Sequence, residues 1–240
     1  LEPFVNRARH IEVQIIGDGH GNVIVLGERE CSIQRRRQKL IEEAPAPGLS
    51  DKQRKQVHQY AKLLGEKLNY RSLGTVEFLL DRAGRYYFIE VNPRIQVEHP
   101  VTELVLGMDL VRMQLRLAAE GKLRITQKDV YVRGAAIEAR IIAEDAANNF
   151  MPATGAITYV KEPDGPGIRV DSALYLGMDV TMHYDSLLAK VIVWGEDREI
   201  AVQRLRRALD EFHISGVPTD IEFLTKIITQ ENFIRGTVDT

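Results

Sequence analysis

The stretch GTVEFLLDRAGRYYFIEVNPRIQVEHP, residues 74–100, decides how the first part of this chain folds. It contains two mainly apolar runs, 74–80 and 85–92, separated by residues 81–84, which end in glycine. Apolar runs rich in β-branched and aromatic residues on either side of a short polar loop predict a β-hairpin. The polar residues that close the second run are unexpected for a buried strand, and they indicate a functional site.

The predicted hairpin brings polar side chains together. A four-residue loop at 81–84 places Glu77 opposite Phe88, and the two-residue period of a strand puts Glu90 and Asn92 on the same face as Phe88. We therefore expect Glu77 and Glu90 to be diagonal neighbours about 7–8 Å apart. Two carboxylates and an amide oxygen are hard ligands that suit Mg²⁺ or Mn²⁺. Because protein-bound Mg²⁺ commonly also holds substrate phosphates, the site predicts a nucleotide.

Two other readings of these residues stay open. A single glutamate on an antiparallel hairpin is most often solvated, although three ligand types on one face favour a metal site. Arg94 and Glu98 lie four residues apart in the segment that follows. A carboxylate next to a guanidinium that holds an anion can act as a general base, but the same spacing fits an ordinary ion pair.

Further elements are predicted on both sides of the hairpin. Alternation predicts a strand from His10 to Ile15 and a returning strand at 23–29, and it breaks at 31–48, which ends in a Pro/Gly loop. Ser50 and Gln53 have the spacing of a capping box that opens a helix to about residue 68. Strands followed by helices after residue 130 predict a second α+β unit.

A basic run, QRRRQK at 34–39, supplies Arg35, Arg36, Arg37 and Lys39. A bare charge run is usually a solvated face. Here an alternating segment precedes the run and a Pro/Gly loop follows it, which favours a place near the hairpin site. A polyphosphate or a bicarbonate ion would need such cations.

The composition excludes several classes of partner. The 240 residues are 44% hydrophobic and 28% charged, which is typical of a soluble globular protein. A net charge of −2, with no aromatic residues within the basic run, argues against nucleic acid and against an anionic membrane as partners. Cys31 is the only cysteine, so an intrachain disulfide is excluded and a reducing, cytoplasmic compartment is favoured.

Several motifs resemble one enzyme family. RHIEVQIIGDGHGNVIVLGERECSIQRRRQK (9–39), EEAPAPG (42–48), RIQVEHPVTE (94–103) and EARIIAED (138–145) look like biotin carboxylase, an ATP-grasp ligase. The resemblance runs through nearly all of the chain. It implies an α+β fold, with the second half of an ATP-grasp domain, an antiparallel sheet plus helices, at 1–128. A biotin carboxylase C-terminal α+β domain is then expected at 129–240.

The resemblance implies a reaction and a set of partners. ATP phosphorylates bicarbonate to carboxyphosphate, which then carboxylates N1′ of biotin on a biotin carboxyl carrier domain. A carboxyltransferase domain or separate protein, a homodimer and a cytoplasmic location (the mitochondrial matrix in a eukaryote) are expected from the family. Acceptor choice among acetyl-CoA, propionyl-CoA, pyruvate and others belongs to the carboxyltransferase, so this chain does not specify it.

The resemblance also implies roles for individual residues. Glu98 is the base that deprotonates bicarbonate, Arg94 orients carboxyphosphate, and Arg140 stabilises the negative charge on the ureido oxygen of biotin. The expected metal ligands are Glu77, Glu90 and Asn92. The expected contacts to ATP are Glu2, Val5, His10, Gln34, Glu77 and Glu90, and those to bicarbonate are Lys39, Arg94, Gln96 and Val97.

Two departures from the family pattern bear on function. Arg37 stands where the family commonly has a histidine, so a cation is kept and a titratable imidazole is lost. The family's amino-terminal domain and glycine-rich ATP lid are expected before Leu1, which makes this chain resemble a fragment. The alternatives are another ATP-grasp ligase, making carbamoyl phosphate or joining a carboxylate to an amine, and a non-catalytic fragment. QVEHP at 96–100, together with Arg140, argues for the biotin carboxylase.

Overall fold

The computed structural model describes residues 4–240. Its backbone contacts divide the chain into two compact units. The first comprises the described residues up to Ala136 together with Thr237–Thr240, and the second comprises Ile137–Gly236. Both combine antiparallel strands with helices, so the predicted α+β class is confirmed.

The first unit is built around an antiparallel sheet with strand order β3-β2-β1-β4-β5. Its strands are β1 (Arg9–Asp18), β2 (Val23–Arg35), β3 (Gln38–Ala44), β4 (Arg71–Leu80) and β5 (Tyr86–Asn92). Its helices are α1 (Asp51–Lys67), α2 (His99–Leu106) and α3 (Leu110–Glu120), and a 3₁₀ turn follows at Gln127–Asp129. This sheet positions the candidate site.

The sheet has one apolar face and one polar face, and strand β1 shows both. Ile11, Val13 and Ile15 pack in a buried cluster with Val57 and Ala61 of α1. The intervening residues of β1 point to the opposite face because side chains alternate along a strand. Helix α1 begins at the predicted capping box, in which Ser50 and Gln53 exchange hydrogen bonds. The candidate site therefore lies on the polar face of the sheet.

A buried carboxylate also links α1 to the sheet. Glu28 of β2 accepts a hydrogen bond from Arg54 Nε at 2.7 Å and lies 2.6 Å from His58 Nε2. Burial disfavours the charged form of Glu28, but His58 and Arg54 outweigh that cost, so the pKa of Glu28 lies below its ordinary value of 4.5. A group with a lowered folded-state pKa stabilises the fold above its unfolded pKa and loses that effect as the pH falls.

We therefore expect the stability contributed by Glu28 to disappear in acid. The variant Glu28→Gln should melt at a lower temperature than the wild type at pH 7, because it lacks the ion pair with Arg54 and the carboxylate that His58 contacts. The difference should shrink as the pH falls below 4.5, where the wild-type carboxylate is progressively protonated. Thermal unfolding of both proteins across this range checks the result, and a gap that stays constant would contradict it.

The strands β2 and β3 form a hairpin that the sequence did not reveal. Alternation was expected to break within 31–48, yet β2 continues to Arg35 and β3 returns from Gln38. Arg36 and Arg37 make the two-residue turn with φ angles of 50° and 67°. Tight hairpin turns of this kind normally carry Gly or Asn, so two arginines gave no turn signal.

The predicted β4–β5 hairpin is present, but its predicted register is wrong. Leu80 pairs with Tyr86 rather than with Arg85, so the connection is longer than expected. A bulge between Phe78 and Glu77 then shifts the pairing again, and Glu77 lies directly opposite Glu90. Bulges re-aim side chains locally and are frequent next to functional sites. The two carboxylates are therefore direct neighbours rather than diagonal ones.

The second unit contains one larger sheet in the order β11-β13-β6 and three short strand pairs, β7–β8, β9–β12 and β10–β14. Its larger strands are β6 (Ala135–Ile142), β11 (Ile168–Ser172) and β13 (Leu187–Gly195). Its short strands are β7 (Glu144–Asp145), β8 (Met151–Pro152), β9 (Gly155–Ala156), β10 (Tyr159–Lys161), β12 (Asp179–Val180) and β14 (His213–Ser215). Its helices are α4 (Arg198–Glu211), α5 (Ile221–Ile228) and α6 (Glu231–Ile234), with a 3₁₀ turn at Ala146–Asn148.

Helix α4 covers strand β13 of the second unit through an apolar face. Ala201, Leu205 and Ala208 of this helix are fully buried. Asp197 caps α4 by accepting a hydrogen bond from the Ile200 backbone N–H at 2.9 Å. Among the helices of residues 4–240, none has both the length and the apolar character needed to cross a membrane.

Candidate active site

A row of four charged residues crosses the polar face of the first sheet. Arg29 of β2 pairs with Glu12 of β1, Glu12 pairs with Glu77 of β4, and Glu77 pairs with Glu90 of β5. Residues directly opposite each other on neighbouring strands share a face. Three adjacent carboxylates in one row repel each other, so cations beside them are needed to favour the ionised form of all three.

Lys39 of β3 is one of those cations. Its Nζ lies 2.6 Å from a Glu12 oxygen, 2.6 Å from Glu98 and 3.5 Å from Glu77. Burial opposes a charge on this amine, but Glu12 and the other nearby acidic groups outweigh it, so the pKa of Lys39 is raised and the ammonium persists. Lys39 therefore joins the predicted metal ligands to the predicted bicarbonate residues.

Glu77 is the most densely bonded member of the predicted metal set. Its Oε1 accepts hydrogen bonds from Asn92 Nδ2 and Gln96 Nε2, each at 2.8 Å. Its Oε2 lies 2.7 Å from His10 Nε2. Burial raises the pKa of Glu77, but the His10 hydrogen bond and the charge on Lys39 outweigh it and hold that pKa at about 2. Glu77 is consequently an ionised carboxylate at any physiological pH.

The donor set fits a divalent cation. Asn92 Nδ2 donates to Glu77 at 2.8 Å and to Glu90 at 2.9 Å, so two carboxylate oxygens converge on one point. Rotating the Asn92 side-chain amide by about 180° would place its oxygen, instead of its nitrogen, next to the Glu77 and Glu90 oxygens. The three residues would then offer three hard oxygen ligands. Glu90 is exposed, and exposure leaves room for water and phosphate oxygens that Mg²⁺ usually keeps.

His10 and Gln34 lie next to Glu77 rather than apart from it. Gln34 Nε2 donates to His10 Nδ1 at 2.8 Å, which leaves the ring proton on Nε2 to be donated to Glu77. The same Gln34 amide also donates to the Cys31 carbonyl oxygen at 2.7 Å. In this structure, both predicted nucleotide residues therefore orient the carboxylate of Glu77.

The segment 94–98 carries the predicted bicarbonate residues. Glu98 is 2% exposed and ends the segment at the start of α2, while Gln96 is buried and bonded to Glu77. Val97 is half-buried, and Arg94 is exposed with its Nη1 donating to the Ile95 carbonyl oxygen at 3.2 Å. The structure thus brings Lys39, Gln96 and Glu98 together around Glu77.

Arg29 was missed by sequence reasoning, although its side chain has no exposed surface. Its guanidinium binds Glu12 and also donates to oxygens of Gln14, Thr102, Thr75 and Gln96 at 2.8–3.2 Å. A charged residue at the end of an alternating strand is most often solvated, which hid it. Its position opposite Glu12 gave no signal in the sequence, because counting back from the 17–22 turn does not place it there.

That pairing depends on a bulge in β2. Gly17 pairs with Val23 and Ile15 with Val25, and this register alone would place Glu28 opposite Glu12. An extra residue shifts the pairing so that Arg29 takes that place. Gly27 has a φ of 102° at this point, a conformation that favours glycine.

The positions of the other predicted residues, where the structure describes them, are as follows. Arg140 is half-buried on β6 of the second unit, and Val5 is half-buried before β1. The prediction for Glu2 falls outside the described residues. Arg36 and Arg37 are exposed at the β2–β3 turn, while Arg35 at the end of β2 is half-buried.

The carboxylates, the amide and the ammonium of this site have the chemistry to hold a divalent cation and an anion side by side. Comparison with known proteins gives the class of protein. Residues 1–126 match the family described as "Carbamoyl-phosphate synthase L chain, ATP binding domain", so the first part of the chain belongs to that class of ATP-binding domains. Residues 138–240 match the "Biotin carboxylase C-terminal domain". The chain as a whole belongs to the biotin carboxylase family.

Individual relatives match the entire chain. It is 52% identical over 240 residues to a biotin carboxylase of Nostoc sp., covering 100% of this chain and 54% of that protein. It is 48% identical over 239 residues to a biotin carboxylase of Pseudomonas aeruginosa, again over 100% of this chain and 53% of the relative. The chain therefore spans about half the length of these curated relatives.

A solved structure matches equally well. The biotin carboxylase domain dimer of Hydrogenobacter thermophilus 2-oxoglutarate carboxylase, in complex with MgADP, ADP and bicarbonate, superimposes with a TM-score of 0.96. It is 47% identical, and the match covers 100% of this chain and 53% of that one.

Proposed function

We propose that this chain forms the metal, bicarbonate and biotin part of a biotin carboxylase, which uses ATP and bicarbonate to carboxylate biotin on a carrier domain. The observation that carries the proposal is the position of Lys39. Its ammonium contacts Glu98 at 2.6 Å and lies 3.5 Å from Glu77, so the metal ligands and the bicarbonate residues form one connected site. Phosphoryl transfer to bicarbonate requires that proximity.

The first step joins bicarbonate to the γ-phosphate of ATP. Lys39, Arg94, Gln96 and Val97 bind the bicarbonate, and Glu98 removes its proton. A bicarbonate oxygen then attacks phosphorus, the bond to ADP breaks, and carboxyphosphate forms with Arg94 as its partner. The charge of Lys39 favours the anion, and the burial of Glu98 keeps water from competing for it.

A divalent metal is held by Glu77, Glu90 and Asn92 in this proposal. When bound, Mg²⁺ or Mn²⁺ neutralises charge on the ATP phosphates. His10 and Gln34 fix the orientation of Glu77, and Glu2 and Val5 are proposed to meet the nucleotide. Residues 1–128 carry these functions, as the ATP-grasp part of the chain.

The second step transfers the carboxyl group. Arg140, in the biotin carboxylase C-terminal part at 129–240, stabilises negative charge on the ureido oxygen as N1′ loses its proton. The N1′–C bond forms while the C–O bond of carboxyphosphate breaks, and the departing phosphate takes up the N1′ proton. The partners are the biotin carboxyl carrier, a carboxyltransferase and a second copy of the protein, in the cytoplasm. The lone buried Cys31 is consistent with that reducing location.

Substrate dependence of ATP cleavage tests the proposal. In the protein as it is naturally produced, release of ADP should require both bicarbonate and biotin. Omitting either substrate should reduce the rate to background. Turnover that needs bicarbonate but is indifferent to biotin would indicate a carbamoyl-phosphate type of ligase and contradict the proposal.

The metal assignment makes a separate prediction for Glu90→Gln. Glu90 is exposed, so the variant should fold normally while losing one charged ligand. The Mg²⁺ concentration for half-maximal activity should rise at least about tenfold, by analogy with losses at metal-supporting residues. Mn²⁺ binding, followed by electron paramagnetic resonance, should weaken in parallel. Glu66→Gln, an exposed glutamate on α1, is the control. An unchanged metal requirement in Glu90→Gln would remove Glu90 from the site.

A further inference from the structure

We propose that Arg29 is a positioning residue that holds Lys39, Gln96 and Glu98 in the geometry needed for the bicarbonate step. The inference rests on the function proposed above and adds a residue that touches no substrate. The side chain of Arg29 is 0% exposed, so it acts only through its neighbours. Three separate sets of contacts connect it to the site.

Every N–H group of this guanidinium has an acceptor. Nε donates to Glu12, Nη1 donates to Gln14 and Thr102, and Nη2 donates to Thr75 and Gln96. A guanidinium has five N–H donors in a rigid planar fork. Because all five directions are used, the positions of the acceptors are tied to one another.

The first connection leads to Lys39. One oxygen of the Glu12 carboxylate accepts from Arg29 Nε, and the other accepts from Lys39 Nζ at 2.6 Å. Because one Glu12 oxygen is bonded to Arg29, the plane of the Glu12 carboxylate is fixed. The direction from which the Lys39 ammonium binds the other oxygen is therefore fixed as well. Lys39 is thereby held 2.6 Å from Glu98 as well.

The second connection sets the orientation of an amide. Gln96 Oε1 accepts from Arg29 Nη2 at 3.2 Å, so its Nε2 faces Glu77, to which it donates at 2.8 Å. The reversed amide would place two donors against each other at Arg29 and two acceptors against each other at Glu77. Arg29 therefore determines which end of Gln96 faces the site.

The third connection fixes helix α2, which starts directly after Glu98. Arg29 Nη1 donates to Thr102 Oγ1 on α2 at 2.9 Å, while Nη2 reaches Thr75 Oγ1 on β4 at 3.2 Å. The guanidinium thus ties the first turns of α2 to the sheet. Glu98 precedes that helix directly, so its distance from Lys39 depends on this tie.

A lysine at position 29 would keep the positive charge but would lack the planar arrangement of five N–H donors. Its ammonium has three donors on a flexible stem and cannot reach five acceptors in one plane. Arg29→Lys therefore separates geometry from charge. A role limited to neutralising Glu12 predicts little change in this variant, whereas a positioning role predicts a specific loss at bicarbonate.

Steady-state kinetics of the naturally produced protein test the proposal. In Arg29→Lys, kcat/KM for bicarbonate should fall about 10–100-fold, as for other residues that support a site, while KM for MgATP stays nearly constant. Thr102→Val, which removes only the hydroxyl contact to α2, should show a smaller loss of the same kind. Thr102→Ser, which restores the hydroxyl, should recover activity. Arg54→Lys, at an ion pair on α1, is the matched control and should behave as wild type.

Two results would overturn the inference. The first is a kcat/KM for bicarbonate in Arg29→Lys that matches the control. If Arg29→Lys does not fold, wild-type kinetics in Thr102→Val would overturn the inference instead. The other is a crystal structure of Arg29→Lys, or of Thr102→Val, in which Gln96, Lys39 and Glu98 keep their positions. The structural measurement still decides the role of Arg29 if the wild type proves inactive, so the two failures are distinguishable.

Discussion

Replacing Glu98 by glutamine is expected to lower bicarbonate-dependent ATP cleavage by about 10²–10⁴-fold, the usual effect of losing a general base. The substitution is nearly isosteric, and it removes the negative charge of Glu98 and with it the proton acceptor. Lys39 keeps its contact with Glu12 at 2.6 Å, so the surrounding network should persist. MgATP affinity should therefore be nearly unchanged, because the residues proposed to hold the metal are intact.

Rate and binding measurements on Glu98→Gln separate the alternatives. Nucleotide affinity is measured by calorimetry and turnover by ADP release at saturating MgATP. Glu66→Gln on α1 is an exposed glutamate control and should match the wild type in both. Loss of nucleotide binding in Glu98→Gln would show that Glu98 belongs to the nucleotide site. Full activity would show that it is not the base.

Replacing Lys39 by methionine is expected to reduce both stability and activity. The change leaves the buried carboxylates of Glu98 and Glu77 without this cation and leaves Glu12 with Arg29 alone. Removing one partner of a buried ion pair typically costs about 3–5 kcal/mol of unfolding free energy. Bicarbonate-dependent turnover should be lost at the same time, because the anion loses its cation.

Urea unfolding of Lys39→Met measures the stability effect. The double variant Lys39→Met/Glu98→Gln should regain part of the lost free energy, because one of the buried carboxylates that lost the Lys39 ammonium has been neutralised. Lys62→Met, at an exposed pair with Glu66, is the control and should be close to the wild type. A Lys39→Met protein as stable as the control would contradict the described network.

Much of the fold was accessible from local pattern. The capping box at Ser50 and the strand alternation of β1 predicted their elements, since both depend on neighbours in sequence. The hairpin β2–β3 was not accessible, because its turn uses arginines at positive φ instead of Gly or Asn. A turn without the usual residues leaves no signal in composition.

The candidate site could be predicted from the sequence only in part. The period of two correctly grouped Glu77, Glu90 and Asn92, which the structure joins through the Asn92 amide. The exact pairing failed because a bulge inserts one residue, and a second bulge hid Arg29 opposite Glu12 in the same way. Bulges add residues that strict alternation cannot count. The buried network therefore required tertiary structure.

The most direct test of the central claim follows an oxygen atom. If bicarbonate beside Lys39 attacks the γ-phosphate, its oxygen becomes part of the phosphate released when biotin is carboxylated. With ¹⁸O-labelled bicarbonate, mass spectrometry of the inorganic phosphate should show transfer of one labelled oxygen per turnover. Phosphate that carries no label from bicarbonate, while biotin is still carboxylated, would contradict a carboxyphosphate mechanism at this site.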